Sequence, residues 1–292
     1  MDRAMILCAG HGTRLRPLTD ELPKPLVPIG DRSLLAHVAS SLRVAGFEHL
    51  VLNAHHLAAR TLHAAGELGL VGVFEPSILG TAGGVAHARE ALGAGDLIVV
   101  NGDILADLDF ATLVRCHVTR GPFATLAVAQ PKPAGEGTLG LDAEGRVVRL
   151  RGERFGDEVR SADFVGAQAI STRARANLPR EGCLVGDLYL PALRRGVELF
   201  ACVAAERFWD IGTPAAYLAC NLDWLERRGA RSFVAGTVAP EVELDRAIIA
   251  AGATVRGEGL LRDVVVWPGA TVVAPLHQAV ASPHHLVRVE NL

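Results

Sequence analysis

The first third of the chain alternates short apolar runs with amphipathic stretches, and this alternation constrains the fold more than any other feature. The apolar runs lack polar–apolar alternation, which is typical of strands that are buried on both faces of a sheet. The predicted strands are Ala4–Ala9, His49–Asn53, Val71–Glu75 and Leu97–Val100. The predicted helices between them are Ser33–Ala45, His56–Ala65 and Gly83–Leu92. This order predicts an α/β fold with a mostly parallel sheet.

A parallel sheet of this kind binds its ligands beyond the carboxyl ends of its strands. The loops at these ends are therefore candidate parts of a binding site. They follow Ala9, Asn53, Glu75 and Val100.

The pattern of the chain changes after about Gly229, where short aliphatic steps replace the helices. Aliphatic or β-branched residues recur every six positions, at Val242, Ile248, Thr254, Leu260, Val266 and Val272. The fragments AGATV and PGATV occupy Ala251–Val255 and Pro268–Val272. A repeat with small corner residues is typical of a parallel β-helix, expected here as a short left-handed one; the alternative is an irregular β-tail. We expect a main domain over residues 1–229 and a β-helix-like tail over residues 230–292.

Composition and charge argue against several classes of protein. The formal net charge is −3 and the basic residues are scattered, which argues against binding to the phosphates of a nucleic acid. No apolar stretch approaches the roughly 18 residues of a membrane helix, and Met5–Ala9 is too short for a signal-peptide core. The five cysteines have no CxxC spacing and indicate a reduced compartment with buried thiols. We expect a cytoplasmic protein without nucleic acid or membrane partners; the sequence leaves homo-oligomer formation open.

The segment Leu7–Pro25 reads LCAGHGTRLRPLTDELPKP and begins where the first predicted strand ends. Gly10 and Gly12 remove side chains where a ligand could approach the backbone, and Thr13 and Arg14 follow at once. Backbone amides followed by a cation suit phosphate oxygens. An ordinary strand-to-helix turn is the alternative interpretation of so short a pattern.

Spacing excludes two other phosphate-binding loops. The sequence contains no GxxxxGK[ST], so the segment is not that of a P-loop NTPase. Leu15 stands where GxGxxG requires its third glycine, which argues against a dinucleotide fold with hydride chemistry.

Lysine is rare in this chain. Of the 29 basic residues only Lys24 and Lys132 are lysines, and all others are arginines. A lysine that persists in such a chain indicates a need for its compact point charge. Lys24 lies in the frame PKPL at the end of the glycine segment, whereas Lys132, in the loop QPKP, is interpreted as a solvated side chain.

Four motifs, in order, resemble those of the sugar-1-phosphate nucleotidyltransferase (NDP-sugar pyrophosphorylase) family. The first is GxGTRLRPLT followed by Lys24, and the others are LGTAGG at Leu79–Gly84, NGD at Asn101–Asp103 and WDIGTP at Trp209–Pro214. The resemblance covers residues from about 3 to 228, and a β-helix-like tail is frequent in the same family. It implies a Rossmann-like nucleotidyltransferase fold for the main domain.

The resemblance implies that a sugar 1-phosphate oxygen attacks the α-phosphorus of an NTP, which gives an NDP-sugar and pyrophosphate. Such in-line transfer requires a protein to position two polyanions and to neutralise their charge. By resemblance, Arg14 contacts the triphosphate and Lys24 contacts the α-phosphate or the sugar phosphate. The implied catalytic residues are Arg14, Lys24 and Asp103, and the implied nucleotide-binding residues are Leu7, Ala9, Gly10, Gly12, Thr13, Arg14, Glu75, Gly80 and Thr81.

Asp103 and Asp210 are the expected ligands of a Mg²⁺ cofactor. Asp103 ends the strand LIVVNGD, and Asp210 lies in FWDIGT. Hard carboxylate oxygens without cysteine or histidine partners are what Mg²⁺ prefers. Only the resemblance implies that two residues so distant in sequence share one ion, and a helix N-cap or turn aspartate is the alternative for Asp210.

By resemblance, the nucleotide base is read by a side chain near position 75, here Glu75, and by the backbone near Gly80 and Leu7–Gly10. An ionised carboxylate only accepts hydrogen bonds, and guanine presents adjacent N–H groups that a carboxylate can accept together. GTP is therefore the favoured donor, and EPxxLGTAGG looks most like mannose-1-phosphate guanylyltransferases. The stretch NAHHL at Asn53–Leu57 resembles muramate-phosphate uridylyltransferases instead, which keeps UTP and N-acetylmuramate 1-phosphate as the alternative pair. A solvated strand end is the other interpretation of Glu75.

The sugar site departs from the family pattern. Relatives carry EKP after the strand that ends near Arg149, whereas this chain has no lysine at Arg151–Arg154. By resemblance, the sugar-phosphate residues are Lys24, Gly137, Glu153 and Gly166, with mannose 1-phosphate as the favoured acceptor.

Two further classes of function compete with an active transferase. A catalytically silent subunit that binds NDP-sugars should have lost the charged residues of the motifs, yet this chain keeps Arg14, Lys24, Asp103 and Asp210. A hexapeptide acyltransferase would need a longer β-helix than the tail allows. The adjacent histidines His55 and His56 are interpreted as structural residues rather than as metal ligands.

Overall fold

The computed structural model describes residues 1–290. In chain order, the strands are β1 Arg3–Leu7, β2 Pro28–Ile29, β3 Arg32–Ser33, β4 His49–Ala54, β5 Val71–Phe74, β6 Leu97–Asn101, β7 Ile104–Leu108, β8 Ala124–Val128, β9 Lys132–Pro133, β10 Leu139–Leu141, β11 Val147–Leu150, β12 Glu153–Arg154, β13 Arg160–Ala162, β14 Phe164–Ile170, β15 Leu199–Val203, β16 Ala205–Asp210, β17 Ser232–Val234, β18 Thr237–Val238, β19 Val242–Ile249, β20 Thr254–Val266, β21 Thr271–Ala281 and β22 Leu286–Arg288.

The helices are α1 Leu18–Glu21, α2 Leu34–Val44, α3 Ala58–Glu67, α4 Gly80–His87, α5 Arg89–Leu92, α6 Phe110–Arg120, α7 Thr172–Ala176, α8 Leu190–Arg194 and α9 Pro214–Arg227. Two short 3-10 turns cover Thr13–Leu15 and Lys24–Leu26, and a π-helical segment, Leu184–Tyr189, precedes α8. The predicted helix Gly83–Leu92 is thus two shorter helices, of which the first begins at Gly80.

The chain forms two compact units whose division differs from the predicted boundary at residue 229. The first unit contains Met1–Gly10 and Val38–Phe208, and the second contains His11–His37 and the chain from Trp209 onward. Helix α9 belongs with the tail because it packs on its strands. The Trp267 indole N–H donates to the Tyr217 hydroxyl at 2.8 Å, and the two rings meet edge to face with centroids 6.1 Å apart.

The centre of the first unit is a seven-stranded sheet in the order β15-β8-β14-β6-β1-β4-β5. Strands β6, β1, β4 and β5 run parallel, as do β15 and β8, and β14 is antiparallel to both of its neighbours. The side chains of Met5, Val51 and Val99 in the sheet are fully buried. The prediction of a mostly parallel α/β sheet is therefore confirmed.

Strand β5 is an exception to the predicted burial on both faces. It is the last strand of the central sheet, and its residues Val71 and Phe74 are 43% and 52% exposed. An edge strand lacks a neighbour on one side, so the same apolar composition does not enforce burial there. The first unit also contains a five-stranded antiparallel sheet in the order β12-β11-β10-β13-β9.

In the second unit the tail forms parallel coils stacked on one another. Strands β19, β20 and β21 pair in parallel, with Thr254 opposite Thr271 and Val255 opposite Val272. The repeated ATV fragments thus lie directly above one another, as a β-helix-like segment requires, while its left-handedness stays a prediction. The short strand β22 then turns back and pairs antiparallel with β21.

One cysteine pair contradicts the expectation of reduced thiols. Cys116 in α6 and Cys202 in β15 form a disulfide with Cα atoms 6.4 Å apart, whereas Cys8, Cys183 and Cys220 are free. Helix α6 lies against β15 in the fold, and this proximity of distant segments leaves no trace in cysteine spacing. Within residues 1–290, no helix combines the length and apolar character needed to span a membrane.

Candidate functional site

The predicted site residues occur in both compact units. In the second unit, the glycine segment continues from His11 into the turn Thr13–Leu15. Gly12 has φ +64°, and a Cβ there would lie 3.0 Å from the Thr19 Cγ2 atom. The Thr19 hydroxyl donates to the Gly12 carbonyl at 2.9 Å. Glycine is therefore required at this position both for the backbone conformation and for the close packing.

Three charged side chains that the sequence motifs singled out meet in the second unit. The Arg14 Nη2 atom lies 3.6 Å from Asp210 Oδ2, and the Lys24 Nζ atom lies 3.9 Å from Asp210 Oδ1. The Lys24 side chain is only 8% exposed, whereas Arg14 and Asp210 are 64% and 49% exposed. Two cations around one carboxylate leave a net positive charge on a partly open surface, which suits a phosphate chain.

Backbone geometry near Asp210 supports this arrangement. A Cβ at Gly212 would lie 2.6 Å from Arg14 Nη1, so the glycine of WDIGTP makes room for the guanidinium. The N-cap of α9 is Thr213, whose hydroxyl accepts from the Ala216 amide at 3.2 Å. Asp210 is therefore not a helix cap, which removes one alternative interpretation of this residue.

Asp103 lies in the first unit, in the turn between β6 and β7. Its charge adds to burial in raising the pKa of the Cys8 thiol, with burial the larger cause. Among the described residues, no group of three or more histidine, cysteine or acidic side chains could hold a metal ion. That Asp103 and Asp210 share one ion stays a prediction.

In the first unit the Glu75 carboxylate is fully buried and has protein partners. Its Oε1 atom accepts from the Asn53 side-chain amide at 2.6 Å, and its Oε2 atom accepts from the Leu79 backbone amide at 3.2 Å. The His55 ring nitrogen Nδ1 lies 2.9 Å from the Glu75 carbonyl oxygen. The structure thus corrects two interpretations: Glu75 is not a solvated strand end, and its carboxylate has no free surface with which to read a base.

Asn53 begins the stretch NAHHL, but the sequence indicated no role for its side chain. It is 2% exposed at the end of β4, and its Oδ1 atom accepts from the Cys8 amide at 2.8 Å. A polar residue at the carboxyl end of the apolar run HLVLNA was the available signal. Through Asn53, the backbone between Leu7 and Ala9 is tied to Glu75.

Close packing around the backbone explains the glycines of the motif LGTAGG. Gly80 has φ +75°, and a Cβ there would lie 2.4 Å from the Gly182 carbonyl oxygen. A Cβ at Gly84 would lie 2.6 Å from the Asn53 Nδ2 atom and 2.7 Å from Glu75 Oε1. The Thr81 hydroxyl accepts from the Leu184 amide at 2.8 Å. In contrast, nothing lies within 4 Å of a Cβ built on Gly10, which leaves the space that the sequence predicts beside that backbone.

Two predicted sugar-site residues are engaged within the protein. Both Glu153 oxygens accept from the Arg194 guanidinium, at 3.0 and 2.6 Å, and the side chain remains 40% exposed. The Gly137 amide donates to the Ser161 hydroxyl at 2.8 Å, and its carbonyl accepts from Arg149 at 2.9 Å. The backbone polar groups of Gly137 are therefore already bonded.

Gly166 and Lys132, two further residues of the first unit, also contact neighbouring side chains. Gly166 has φ +77°, and a Cβ there would lie 2.4 Å from the Ile104 Cδ1 atom. Lys132, interpreted from the sequence as solvated, places its Nζ atom 2.5 Å from Asp163 Oδ2. It is thus an ion-paired side chain that remains 44% exposed.

A buried ion pair fixes the loop that contains Gly137. Arg149 donates to both oxygens of Glu158 at 2.8 and 3.0 Å, and Glu158 also accepts from the Gly135 amide at 2.8 Å. The Glu158 side chain is 3% exposed. Hydrogen bonds from Arg149 lower the pKa of the Glu158 carboxyl from 4.5 to about 2.

This pair predicts a loss of stability in acid. Because the pKa is lower in the folded protein, the contribution of Glu158 is complete above its ordinary pKa of 4.5 and disappears as the pH falls toward about 2. We expect the difference in midpoint of urea unfolding between wild type and Glu158→Gln to be constant near neutral pH and to shrink below about pH 4.5. A difference that does not change with pH would contradict a charged pair.

Comparisons with known proteins agree with the motifs. A family model described as Nucleotidyl transferase matches residues 3–227. A mannose-1-phosphate guanylyltransferase from Mycobacterium tuberculosis is 30% identical over 280 residues, which cover 92% of this chain and 73% of that protein. An N-acetylmuramate alpha-1-phosphate uridylyltransferase from Neisseria meningitidis is 42% identical over 114 residues, which cover 37% of this chain and 49% of that protein.

The fold also matches a solved structure. HddC from Yersinia pseudotuberculosis, crystallised with GMP-PN, superposes with a TM-score of 0.64 at 22% identity, over 77% of this chain and all of that chain. This likeness confirms the fold, and the family match extends over more than half of the sequence. The chain therefore belongs to the nucleotidyl transferase family.

Proposed function

We propose that this protein transfers the nucleotidyl group of an NTP to a sugar 1-phosphate, with GTP and mannose 1-phosphate as its preferred substrates. The observation that carries the proposal is the meeting of Arg14, Lys24 and Asp210 at 3.6 and 3.9 Å. A pair of cations beside a half-exposed carboxylate provides charge for a triphosphate and an oxygen ligand for a divalent ion.

The two cations have different tasks in this reaction. The planar Arg14 guanidinium, which is 64% exposed, can donate to two phosphate oxygens at once. It is assigned to the β- and γ-phosphates, on which negative charge grows as the bond from the α-phosphorus to the leaving oxygen breaks. Lys24 is a nearly buried point charge, assigned to the α-phosphate under attack. Its position is fixed before the reaction, so little reorganisation is needed in the transition state.

Mg²⁺ fits the residues present. Asp210 offers hard oxygens on a half-exposed carboxylate, and Mg²⁺ commonly takes one or two carboxylates and completes its shell with phosphates and water. Asp103 and Asp210 are the side chains that would hold it. When bound, the ion would contribute charge stabilisation at the phosphoryl oxygens.

The preference for GTP is supported by the guanylyltransferase relative, which aligns with 92% of the chain. This preference does not depend on direct contact between the base and Glu75, since that carboxylate is buried and bonded to Asn53 and Leu79. Selection of the base is assigned instead to the backbone of residues 7–10 and 79–81.

A uridylyltransferase that acts on N-acetylmuramate 1-phosphate is the second candidate. The 42% identity to the Neisseria enzyme over 114 residues favours it. A catalytically silent subunit is disfavoured because Arg14, Lys24 and Asp210 are retained and clustered.

A substrate panel tests the proposal. The purified chain is incubated with Mg²⁺, each of GTP, UTP, ATP, CTP and dTTP, and either mannose 1-phosphate or N-acetylmuramate 1-phosphate, and pyrophosphate release is measured. We expect GTP with mannose 1-phosphate to give the highest kcat/KM, by at least about tenfold. A higher value for UTP with the muramate substrate would establish the second candidate, and no release in any combination would refute nucleotidyl transfer.

A further inference from the structure

Asn53 and Glu75 form a buried bridge between two backbone segments of the first unit. One end of the bridge is the Cys8 amide, which donates to Asn53 Oδ1 at 2.8 Å. The other end is the Leu79 amide, which donates to Glu75 Oε2 at 3.2 Å. In the middle, Asn53 Nδ2 donates to Glu75 Oε1 at 2.6 Å. Every step pairs a donor with an acceptor.

The chemistry of the partners fixes how the bridge is oriented. The Cys8 amide can only donate, so the Asn53 oxygen must face Cys8 and its nitrogen must face Glu75. Asn53 is 2% exposed and Glu75 is fully buried. Polar groups at this depth are costly to leave without partners, which makes the arrangement rigid.

The backbone of helix α4 packs closely against the pair. A Cβ on Gly84 would lie 2.6 Å from Asn53 Nδ2 and 2.7 Å from Glu75 Oε1, so the helix α4 backbone presses directly on the bridge. The Glu75 amide also donates to the Ala54 carbonyl at 2.8 Å. The ends of β4 and β5 and the start of α4 are thus held as one assembly.

We propose that Asn53 and Glu75 are positioning residues for nucleotide selection, because their bridge sets the separation of the backbone at residues 7–10 from that at residues 79–81. This inference rests on the proposed function, in which those two segments read the base. Neither side chain touches the nucleotide. Selectivity by backbone groups depends on their spacing, and a displacement of about 1 Å can cost on the order of 10²-fold in rate.

A double exchange tests the bridge. Asn53→Asp would place two carboxylates against each other. Glu75→Gln would place an amide N–H donor against another N–H donor. Asn53→Asp combined with Glu75→Gln restores every donor–acceptor pair, because the carboxylate introduced at position 53 would accept from Cys8 and from the new amide at position 75. The oxygen of that amide would in turn accept from Leu79. Gln168→Glu is the matched control, because Gln168 is 3% exposed in the same unit and accepts from the Tyr189 hydroxyl at 2.8 Å instead.

The readouts are kcat and KM for GTP and UTP, with the midpoint of thermal unfolding measured in parallel. We expect each single variant to raise the KM for GTP by about tenfold or more and to reduce the GTP-to-UTP ratio of kcat/KM. The double variant should return to within about threefold of wild type. Gln168→Glu should lower the unfolding midpoint and leave the GTP-to-UTP ratio unchanged.

Specific results would overturn the inference. Single variants that are less stable but keep the wild-type KM and ratio would show a purely structural pair, and a folded double variant without recovery would show that the bridge is not what matters. Failure of the proposed function looks different, because then wild type itself releases no pyrophosphate from any substrate pair. In that case the same four variants are compared by calorimetric binding of GTP, where unchanged affinities would also refute the inference.

Discussion

Replacement of Lys24 by methionine is expected to lower kcat/KM for pyrophosphate release by about 10²–10³-fold. The Lys24 side chain is 8% exposed, so its charge lies at a fixed place with little screening by water. Methionine keeps most of the length and apolar stem and removes only the ammonium. The measurement is steady-state kinetics with saturating Mg²⁺, together with a check that the variant unfolds at a temperature near that of wild type.

Two controls sharpen this prediction. Lys24→Arg keeps the positive charge but forces a wide guanidinium into a nearly buried site, and we expect a loss of at least about tenfold. Lys132→Met removes the other lysine of the chain, which is 44% exposed and paired with Asp163, and it should change kcat/KM by no more than about threefold. Equal losses for Lys24→Met and Lys132→Met would refute a specific role for Lys24.

Replacement of Asp210 by asparagine is expected to lower kcat by about 10²–10³-fold and to raise the Mg²⁺ concentration needed for half-maximal rate. The KM for the NTP should not rise, since the change removes a negative charge that lies 3.6 Å from Arg14 and 3.9 Å from Lys24. A lower kcat without a higher KM would indicate that Asp210 is a ligand of the ion. An Asp210 that only balances the charge of the two cations would not give this pattern.

The companion variants for Asp210 are Asp103→Asn and Asp245→Asn. If Asp103 shares the ion, its replacement should have the same Mg²⁺ dependence, and the double variant Asp103→Asn/Asp210→Asn should be little worse than either single one. Asp245 is paired with Arg231 and Arg262 in the tail, so its replacement should leave the Mg²⁺ dependence unchanged. An unaltered Mg²⁺ titration for Asp210→Asn would refute its role as a ligand.

The fold was predictable from the sequence where burial leaves a compositional pattern. Strands such as β1 and β6, covered on both faces, must be apolar at every position, and this gives a readable signal. The repeated ATV fragments likewise indicated parallel coils, and the structure pairs Thr254 of one fragment with Thr271 of the other. Strand β5 has the same composition but lies at the edge, and composition alone cannot give the order of strands in a sheet.

The convergence of Arg14 and Lys24 on Asp210 was predictable only as far as their motifs were recognised together. The partners of acidic residues were not predictable, because a carboxylate pairs with whatever the fold brings near it. Glu75 finds Asn53, and Glu153 finds Arg194. Arg194 lies outside the motifs, and the stretch NAHHL that begins at Asn53 gives no indication that Asn53 pairs with Glu75. The observed division into units also differs from the boundary predicted at residue 229. Helix α9 packs on strands that follow it in the sequence, and this contact leaves no local sequence signal.

The reversal of the chain at β22 closes one side of the stacked coils. A parallel coil normally ends in a row of unpaired amides and carbonyls that can recruit another strand, including one from a second molecule. Here β21 is covered instead by the three residues Leu286–Arg288, which run in the opposite direction. The new border is short and ends in an exposed arginine, features that oppose end-to-end growth into fibres. Strand β22 thus limits the addition of further strands to β21.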